Sequence, residues 1–142
     1  MIKISRTVSY ALQATIQLAQ SDSKTPVPCS RLAAKGSMPE RFLLQILRSL
    51  VTHGILQSTR GVEGGYSLIR APEDVSILEV IEAIDGPLNF LVTDEFQGEA
   101  QPKLAAALNH VTQSARNQLE SIKLANIIDQ PRPTNMIANN LS

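Results

Sequence analysis

Apolar residues in the N-terminal third of the chain recur every three or four positions, the period of an amphipathic helix. A first helix is expected to begin after Ser5, whose hydroxyl can cap it. Its apolar face should consist of Val8, Leu12, Ile16 and Ala19. A turn-rich stretch separates it from a second, short helix between Pro28 and Gly36, in which Leu32 and Ala33 are expected to face inward.

The Ser-x-x-Glu pattern from Ser37 to Glu40 is typical of a capping box and predicts that a third helix begins there. The predicted buried face is Phe42, Leu43, Ile46, Leu47 and Leu50. The predicted exposed face is Arg41, Gln45, Arg48 and Thr52. Gly54 ends this helix, and the short turn between the second and third helices predicts a helix-turn-helix.

Two short β-like runs, residues 55–59 and 66–70, follow the third helix and flank the segment Arg60-Gly61-Val62-Glu63-Gly64-Gly65-Tyr66. The glycines allow a positive φ and a close backbone approach, so a hairpin wing is predicted. Such a tip suits a DNA minor groove while the third helix lies in the major groove. DNA would repel Glu63, so Arg60 and backbone N–H groups must provide most of the binding. The alternative is a structural corner that contacts no partner.

A second Ser-x-x-Glu pattern, Ser76 to Glu79, opens a helix that Gly86 closes, and residues 89–101 form an acidic loop. A long helix over residues 102–129 then carries one apolar seam: Leu104, Leu108, Val111, Ala115, Leu119 and Ile122. A second copy of the chain is the expected partner of that seam, the alternative being intrachain packing. Residues 130–142 are expected to form a disordered tail.

The predicted fold is therefore mainly α with a small β-hairpin wing. It divides into a winged helix-turn-helix DNA-binding domain (1–88), the acidic loop (89–101), a dimerisation helix (102–129) and the tail.

Formal net charge is zero over 142 residues, but residues 1–70 hold nine Lys/Arg against three Asp/Glu, and residues 71–142 four against ten. The N-terminal half, at +6, would attract phosphates. Without a membrane-length apolar run, a cytoplasmic protein is predicted.

Few residues could carry chemistry, and no catalytic or metal-binding arrangement is visible. Cys29 is expected to be a small half-buried residue; the alternative is a redox sensor, because the start of the second helix and Arg31 would favour its thiolate. His53 and His110 are too far apart to form a metal motif. The acids Asp94, Glu95 and Glu99 are expected to form a solvated surface, with cation binding as a weaker alternative. An enzyme is therefore not expected.

The chain resembles the Rrf-two family of bacterial winged helix-turn-helix transcription regulators, which includes the iron–sulfur cluster regulator, the nitric-oxide-sensing repressor and the cysteine-metabolism repressor. The segments that carry the resemblance are residues 4–5, 10–12, 42–47, 53–56, 60–66, 79–88 and 119–125. The resemblance implies a homodimeric repressor bound to a pseudo-palindromic double-stranded operator. The residues that it and the pattern together assign to DNA are Arg60, Gly61, Gly64, Gly65, Tyr66, Arg41, Gln45, Arg48, Ser37 and Pro39.

The resemblance also shows a departure in the sensor. Many relatives hold an iron–sulfur cluster through three cysteines in the loop before the long helix, whereas residues 88–102 here contain none. The position of the family's histidine ligand falls near Ala105, not at His110, so no cofactor is predicted. Leu44 stands where some relatives carry a base-reading Glu, so the operator sequence is not implied. The second function considered is a regulator controlled by a partner protein or small molecule near the dimer seam.

Overall fold

The computed structural model describes residues 3–21, 25–89 and 98–128. The elements in chain order are α1 (Arg6–Gln20), α2 (Cys29–Gly36), α3 (Glu40–Thr52), β1 (Leu56–Thr59), β2 (Gly65–Leu68), a 3₁₀ turn (Pro72–Asp74), α4 (Ile77–Asp85), α5 (Gln101–Ser121) and α6 (Leu124–Ile127). The prediction of a mainly helical fold with a two-stranded hairpin is confirmed. The predicted tail and most of the acidic loop lie outside the described residues.

The hydrophobic core is built around α1, which contacts α2, α3, α4, α6 and β2. The apolar face predicted for α1 was partly wrong: Val8 is buried, but Leu12, Ile16 and Ala19 are only half-buried at the margin of the core. The fully covered face is instead Val8, Ala11, Ala14, Thr15 and Leu18. Because α1 is surrounded on several sides, small side chains face its neighbours and let those elements approach closely.

The start of α3 differs from the prediction. Ser37 is left-handed, at φ 53°, and closes α2, so its hydroxyl caps no helix. The backbone N–H of Met38 donates to the Ala33 carbonyl at 2.8 Å, and α3 begins at Glu40 with Pro39 at the N-cap position. The predicted capping box at Ser37 was therefore wrong, because the same residues terminate the preceding helix.

The cap predicted for α4 is confirmed. The Ser76 hydroxyl accepts the Glu79 backbone N–H at 3.1 Å, and the Glu79 carboxylate accepts the Ser76 backbone N–H at 2.9 Å. Both Ser76 and Val75 are buried, so this cap fixes the start of α4 within the core.

The long helix α5 ends earlier than predicted. It stops at Ser121, and the chain is extended at Ile122 and Lys123 before the short α6. Ile77 donates its N–H to Ile122 and Leu124 donates to Val75, each at 2.9 Å, so helical bonds are exchanged for a bridge to the start of α4. This exchange buries Leu124 completely in the core, which explains the break.

The remainder of α5 is thinly covered by the described chain. Thr112 is its one buried residue, while Leu104 and Val111 are exposed by 37% and 50%. The other seam residues, Leu108, Ala115 and Leu119, are half-buried, as is Ile122 beyond the helix end. None of the helices within residues 3–21, 25–89 and 98–128 combines the length and the hydropathy of a membrane span.

Candidate nucleic-acid interface

The wing is a tight antiparallel hairpin whose tip is fully solvated. Leu56 pairs with Leu68, and the ladder ends at Thr59 opposite Gly65. The Gly64 N–H donates to the Gly61 carbonyl at 3.0 Å and closes the tip. The residues of the tip that face water are Arg60, Gly61, Val62 and Glu63. The hairpin thus presents the Arg60 guanidinium beside a compact backbone turn.

Two glycines allow the tight turn of the wing and its close packing against Val27. A Cβ on Gly64 would lie 2.2 Å from the Thr59 carbonyl oxygen. Gly65 has a φ of 153°, and a Cβ there would lie 2.4 Å from the carbonyl carbon and oxygen of Val27. Both contacts are far closer than any real side chain permits, so each position requires glycine.

Val27 attaches the wing to the segment that precedes α2. Its N–H donates to the Tyr66 carbonyl at 2.9 Å, and its carbonyl accepts the Tyr66 N–H at 2.8 Å. Tyr66 is half-buried and packs against the core. Gly64, Gly65 and Tyr66 therefore support the wing structurally, and direct DNA contact by them stays a prediction.

Sequence reasoning missed Val27, although a signal was present. Pro26 and Pro28 flank this β-branched residue, and a residue before proline is restricted to extended conformations. The extended segment pairs with β2, which lies 39 residues later in the sequence. The extended conformation could therefore be predicted from the sequence, whereas its pairing partner could not.

The α3 helix presents one buried face and one solvated face, as predicted. Leu43, Ile46, Leu47 and Leu50 are buried. On the other side, Arg41, Gln45, Arg48 and Thr52 are all exposed, with Ser37 and Pro39 exposed just before the helix. Phe42 was predicted to be buried but is 37% exposed. It lies at the edge of the core, where its ring packs edge-on against Tyr10 at a centroid distance of 5.8 Å.

Arginines of the described chain fall into two groups. Arg70 pairs with Glu79 at 2.8 Å, and Arg116 pairs with Glu82. Within residues 3–21, 25–89 and 98–128, these are the ion pairs that form, so Arg6, Arg31, Arg41, Arg48 and Arg60 have none. Three of these five, Arg41, Arg48 and Arg60, lie on the exposed face of α3 and at the wing tip, where an anionic ligand can use them.

Cys29 lies in the first turn of α2, and its environment opposes the alternative of a thiolate. Burial raises the pKa of the Cys29 thiol, and the Glu40 carboxylate raises it further. The thiol donates a weak hydrogen bond to the Glu40 carbonyl oxygen, with a sulfur–oxygen distance of 3.7 Å. Cys29 is thus the half-buried residue that was expected, and desolvation and a nearby negative charge oppose the alternative of a thiolate favoured by the helix terminus and Arg31.

The histidines and acids give no metal site in the part of the chain that the structure describes. Nδ1 of His53 lies 2.8 Å from the Ser49 carbonyl oxygen at the end of α3, and His110 is exposed on α5. No three His, Cys, Asp or Glu residues come together there. Glu99 is exposed, whereas Asp94 and Glu95 lie outside the described residues.

Comparison with known proteins gives consistent matches. The Rrf2 family model, described as an iron-dependent transcriptional regulator, matches residues 4–130. An HTH-type transcriptional regulator from Rhodobacter capsulatus, named rrf2-like, is 42% identical over 88 residues, which are 60% of this chain and 59% of that protein. CymR of Bacillus subtilis is 30% identical over 88 residues, 62% of this chain and 64% of CymR. This chain thus matches less than two thirds of the length of either relative.

Solved structures agree over a longer span. CymR, titled the global cysteine regulator of B. subtilis, aligns with a TM-score of 0.76 and 26% identity, over 89% of this chain and 96% of CymR. T. potens IscR aligns with a TM-score of 0.73 and 28% identity, over 96% of both chains. A helix-turn-helix, a glycine-built wing and a family match over most of the sequence lead to one conclusion: this chain belongs to the Rrf2 family of DNA-binding, winged helix-turn-helix transcriptional regulators.

Proposed function

We propose that this chain acts as a homodimeric, sequence-specific repressor that binds a pseudo-palindromic operator. The observation that carries the proposal is the group of three arginines, Arg41, Arg48 and Arg60, that are exposed and lack a carboxylate partner in the described chain. An unpaired surface arginine is available to phosphate or to a base edge without first breaking an ion pair.

Each part of this surface has a role in the proposal. Arg60 enters a narrow minor groove, where the negative potential attracts a guanidinium. Gln45 contacts base edges in the major groove, since its amide can pair with adenine in two places. Arg41 and Arg48 contact phosphates on either side of it. The exposed residues Ser37, Pro39 and Gly61 set the position of α3 and the wing against the sugar–phosphate backbone. The half-buried residues Gly64, Gly65 and Tyr66 add contacts from the base of the wing.

Dimerisation through α5 is the second part of the proposal. A 21-residue helix with one buried residue leaves most of its apolar positions uncovered by the described chain. A second copy packed along Leu104, Leu108, Val111, Ala115 and Leu119 would cover them, with Ile122 at the end of the seam. Two-fold symmetry then sets two α3 helices roughly 34–36 Å apart, one turn of DNA.

The family description includes iron, but the cysteine content of this chain does not fit a thiolate-ligated cluster. The sequence contains one cysteine, Cys29, which is half-buried at the start of α2 and bonded to the Glu40 carbonyl. We therefore propose a regulator without a cysteine-ligated iron–sulfur cluster. A cluster absorption band in anaerobically purified protein, with matching iron and sulfide content, would contradict this.

A second candidate is a regulator controlled by a small polar molecule or a partner protein. The observation that favours it is a cleft of about 360 Å³ between α4 and α5, lined mostly by charged side chains. Glu120 and Lys123 are among them, close to the end of the seam. A ligand of this kind would change operator affinity when it is added to the purified protein.

The decisive experiment is a titration of the purified protein against DNA from upstream of its own gene, across salt concentrations and with nonspecific competitor. Competitor-resistant binding with a steep salt dependence, at two subunits per site, is expected. A reporter fused to the same DNA should be silenced by the protein. Binding that any DNA removes equally would refute sequence specificity, and an activated reporter would refute repression.

A further inference from the structure

Arg70 follows the wing's second strand, and its partly exposed guanidinium donates three hydrogen bonds within the protein. Nη2 donates to Oε1 of Glu79 at 2.8 Å and Nη1 donates to Oε2 at 3.3 Å. Nη1 also donates to the Asp74 carbonyl oxygen at 2.9 Å. The flat guanidinium thus joins the base of the wing to the first turn of α4 through two parallel bonds, a geometry that restricts orientation as well as distance.

Both carboxylate oxygens of Glu79 accept hydrogen bonds. The same Oε2 accepts the Ser76 backbone N–H at 2.9 Å as part of the α4 cap. Burial raises the pKa of this carboxyl, but the bonds from Arg70 and Ser76 and the charges of Arg70 and Lys123 outweigh burial and lower the pKa below its ordinary value. The carboxylate is therefore ionised near neutral pH and ties the wing to the helix start.

One turn further along α4, Glu82 faces the same cleft and makes a second pair of contacts. It accepts the Leu88 backbone N–H at 2.7 Å and forms an ion pair with Arg116 of α5. Residues three apart lie on one face of a helix, so Glu79 and Glu82 attach the same side of α4 to two different elements. One attachment leads to the wing and the other to the long helix.

We propose that Arg70 is a positioning residue of the wing rather than a phosphate ligand, and that α4 carries the wing's position to the long helix through Glu79 and Glu82. The inference rests on the proposed DNA-binding function. In this proposal, α4 couples the long helix to the wing. A change in the packing of α5 acts on α4 through the Arg116–Glu82 ion pair, and α4 acts on the wing, and hence on Arg60, through the Arg70–Glu79 ion pair on the same helix face.

The direction in which Glu79→Gln changes operator affinity distinguishes the two possible roles of Arg70. Glu79→Gln keeps the helix cap, because glutamine also serves in a capping box, but it removes the charge that holds Arg70. If Arg70 positions the wing, the variant should bind the operator about two- to fivefold more weakly, the scale of a partly exposed ion pair. If Arg70 is a phosphate ligand, losing this carboxylate should strengthen binding instead.

Glu73→Gln is the matched control. Glu73 is exposed in the neighbouring 3₁₀ turn and forms no ion pair within the described chain, so its variant has the same charge change without touching Arg70. At physiological salt, screening should leave its operator affinity close to wild type. Arg70→Gln should weaken binding as much as Glu79→Gln, and the double variant should be no weaker than either single one. Tighter binding by Glu79→Gln, or additive losses, would overturn the inference.

The link to the long helix has its own measurement, hydrogen exchange of wing amides in DNA-free protein. Glu82→Gln should speed exchange of the β1 and β2 amides by roughly two- to fivefold relative to wild type, with α3 unchanged. Changes confined to α4 and α5 would overturn the coupling. If wild-type protein shows no specific DNA binding, the proposed function fails, yet the exchange result still tests the mechanical link separately.

Discussion

Gly65→Ala tests whether the wing depends on its attachment to the segment before α2. The new Cβ would lie 2.4 Å from the Val27 carbonyl carbon and oxygen, which are backbone atoms and cannot rotate away. The wing would have to move from Val27, breaking the two hydrogen bonds of 2.8 and 2.9 Å between Val27 and Tyr66. The residue would also keep a φ of 153°, which L-residues rarely adopt.

The magnitude is best stated as a difference from Gly61→Ala. Gly61, at φ 112°, has a comparable backbone penalty, of about 1–3 kcal/mol, but no atom within 4 Å of an added Cβ. The two variants therefore share the conformational cost and differ in the lost pairing. Two backbone hydrogen bonds contribute about 1–3 kcal/mol, so Gly65→Ala should be less stable than Gly61→Ala by that amount.

Urea unfolding followed by circular dichroism measures both variants under one condition. In thermal scans, the same difference corresponds to a melting temperature lower by roughly 3–5 °C per kcal/mol for a chain of this length. Equal stabilities for the two alanine variants would refute the reasoning, since they would show that the wing's attachment to Val27 contributes nothing to folding.

Other substitutions test the remaining assignments. Arg60→Ala should weaken operator binding by about 1–3 kcal/mol in titrations at fixed salt, and an unchanged affinity would remove the wing from the mechanism. Leu108→Asp should convert the proposed dimer to monomers in light scattering, whereas a persistent dimer would move the interface elsewhere. Ser76→Ala should cost about 1 kcal/mol in urea unfolding through loss of the α4 cap; no loss would contradict the cap. The lowered pKa of Glu79 contributes stability at pH values above the ordinary glutamate pKa of about 4.3, and this contribution is lost as pH falls through the folded-state pKa. Wild type should therefore lose more stability than Glu79→Gln between about pH 6 and pH 3. Equal losses in the two proteins would contradict this prediction.

Local signals in the sequence were sufficient where the partners of a residue lie within one helical turn. The α4 cap is the clearest case, because Ser76 and Glu79 satisfy each other's backbone groups and need nothing from the rest of the chain. The two faces of α3 follow for the same reason, since helical period alone separates Leu43 from Arg41.

The same local pattern failed at Ser37, and the reason lies outside it. Met38 is 6% exposed, and its N–H completes the end of α2, so closing one helix took precedence over capping the next. Contacts between distant segments could not be predicted from the local sequence either. Examples are the hydrogen bonds that attach the wing to Val27 and the ion pair between Arg70 and Glu79. Charge counting assigned Arg70 to a phosphate-attracting half, although its guanidinium forms an ion pair with Glu79 of the same chain.

The bridge between Ser76 and Lys123 has a consequence for how the chain matures. Leu124, which follows this bridge, is completely buried in the core shared by α1, α3 and the wing. During synthesis, residues 3–89 leave the ribosome before Leu124, so their core would lack this buried side chain until residue 124 emerges. A nascent or truncated chain that ends within α5 would expose that gap to proteases and chaperones. Assembly of the proposed DNA-binding surface would therefore be coupled in time to completion of the long helix.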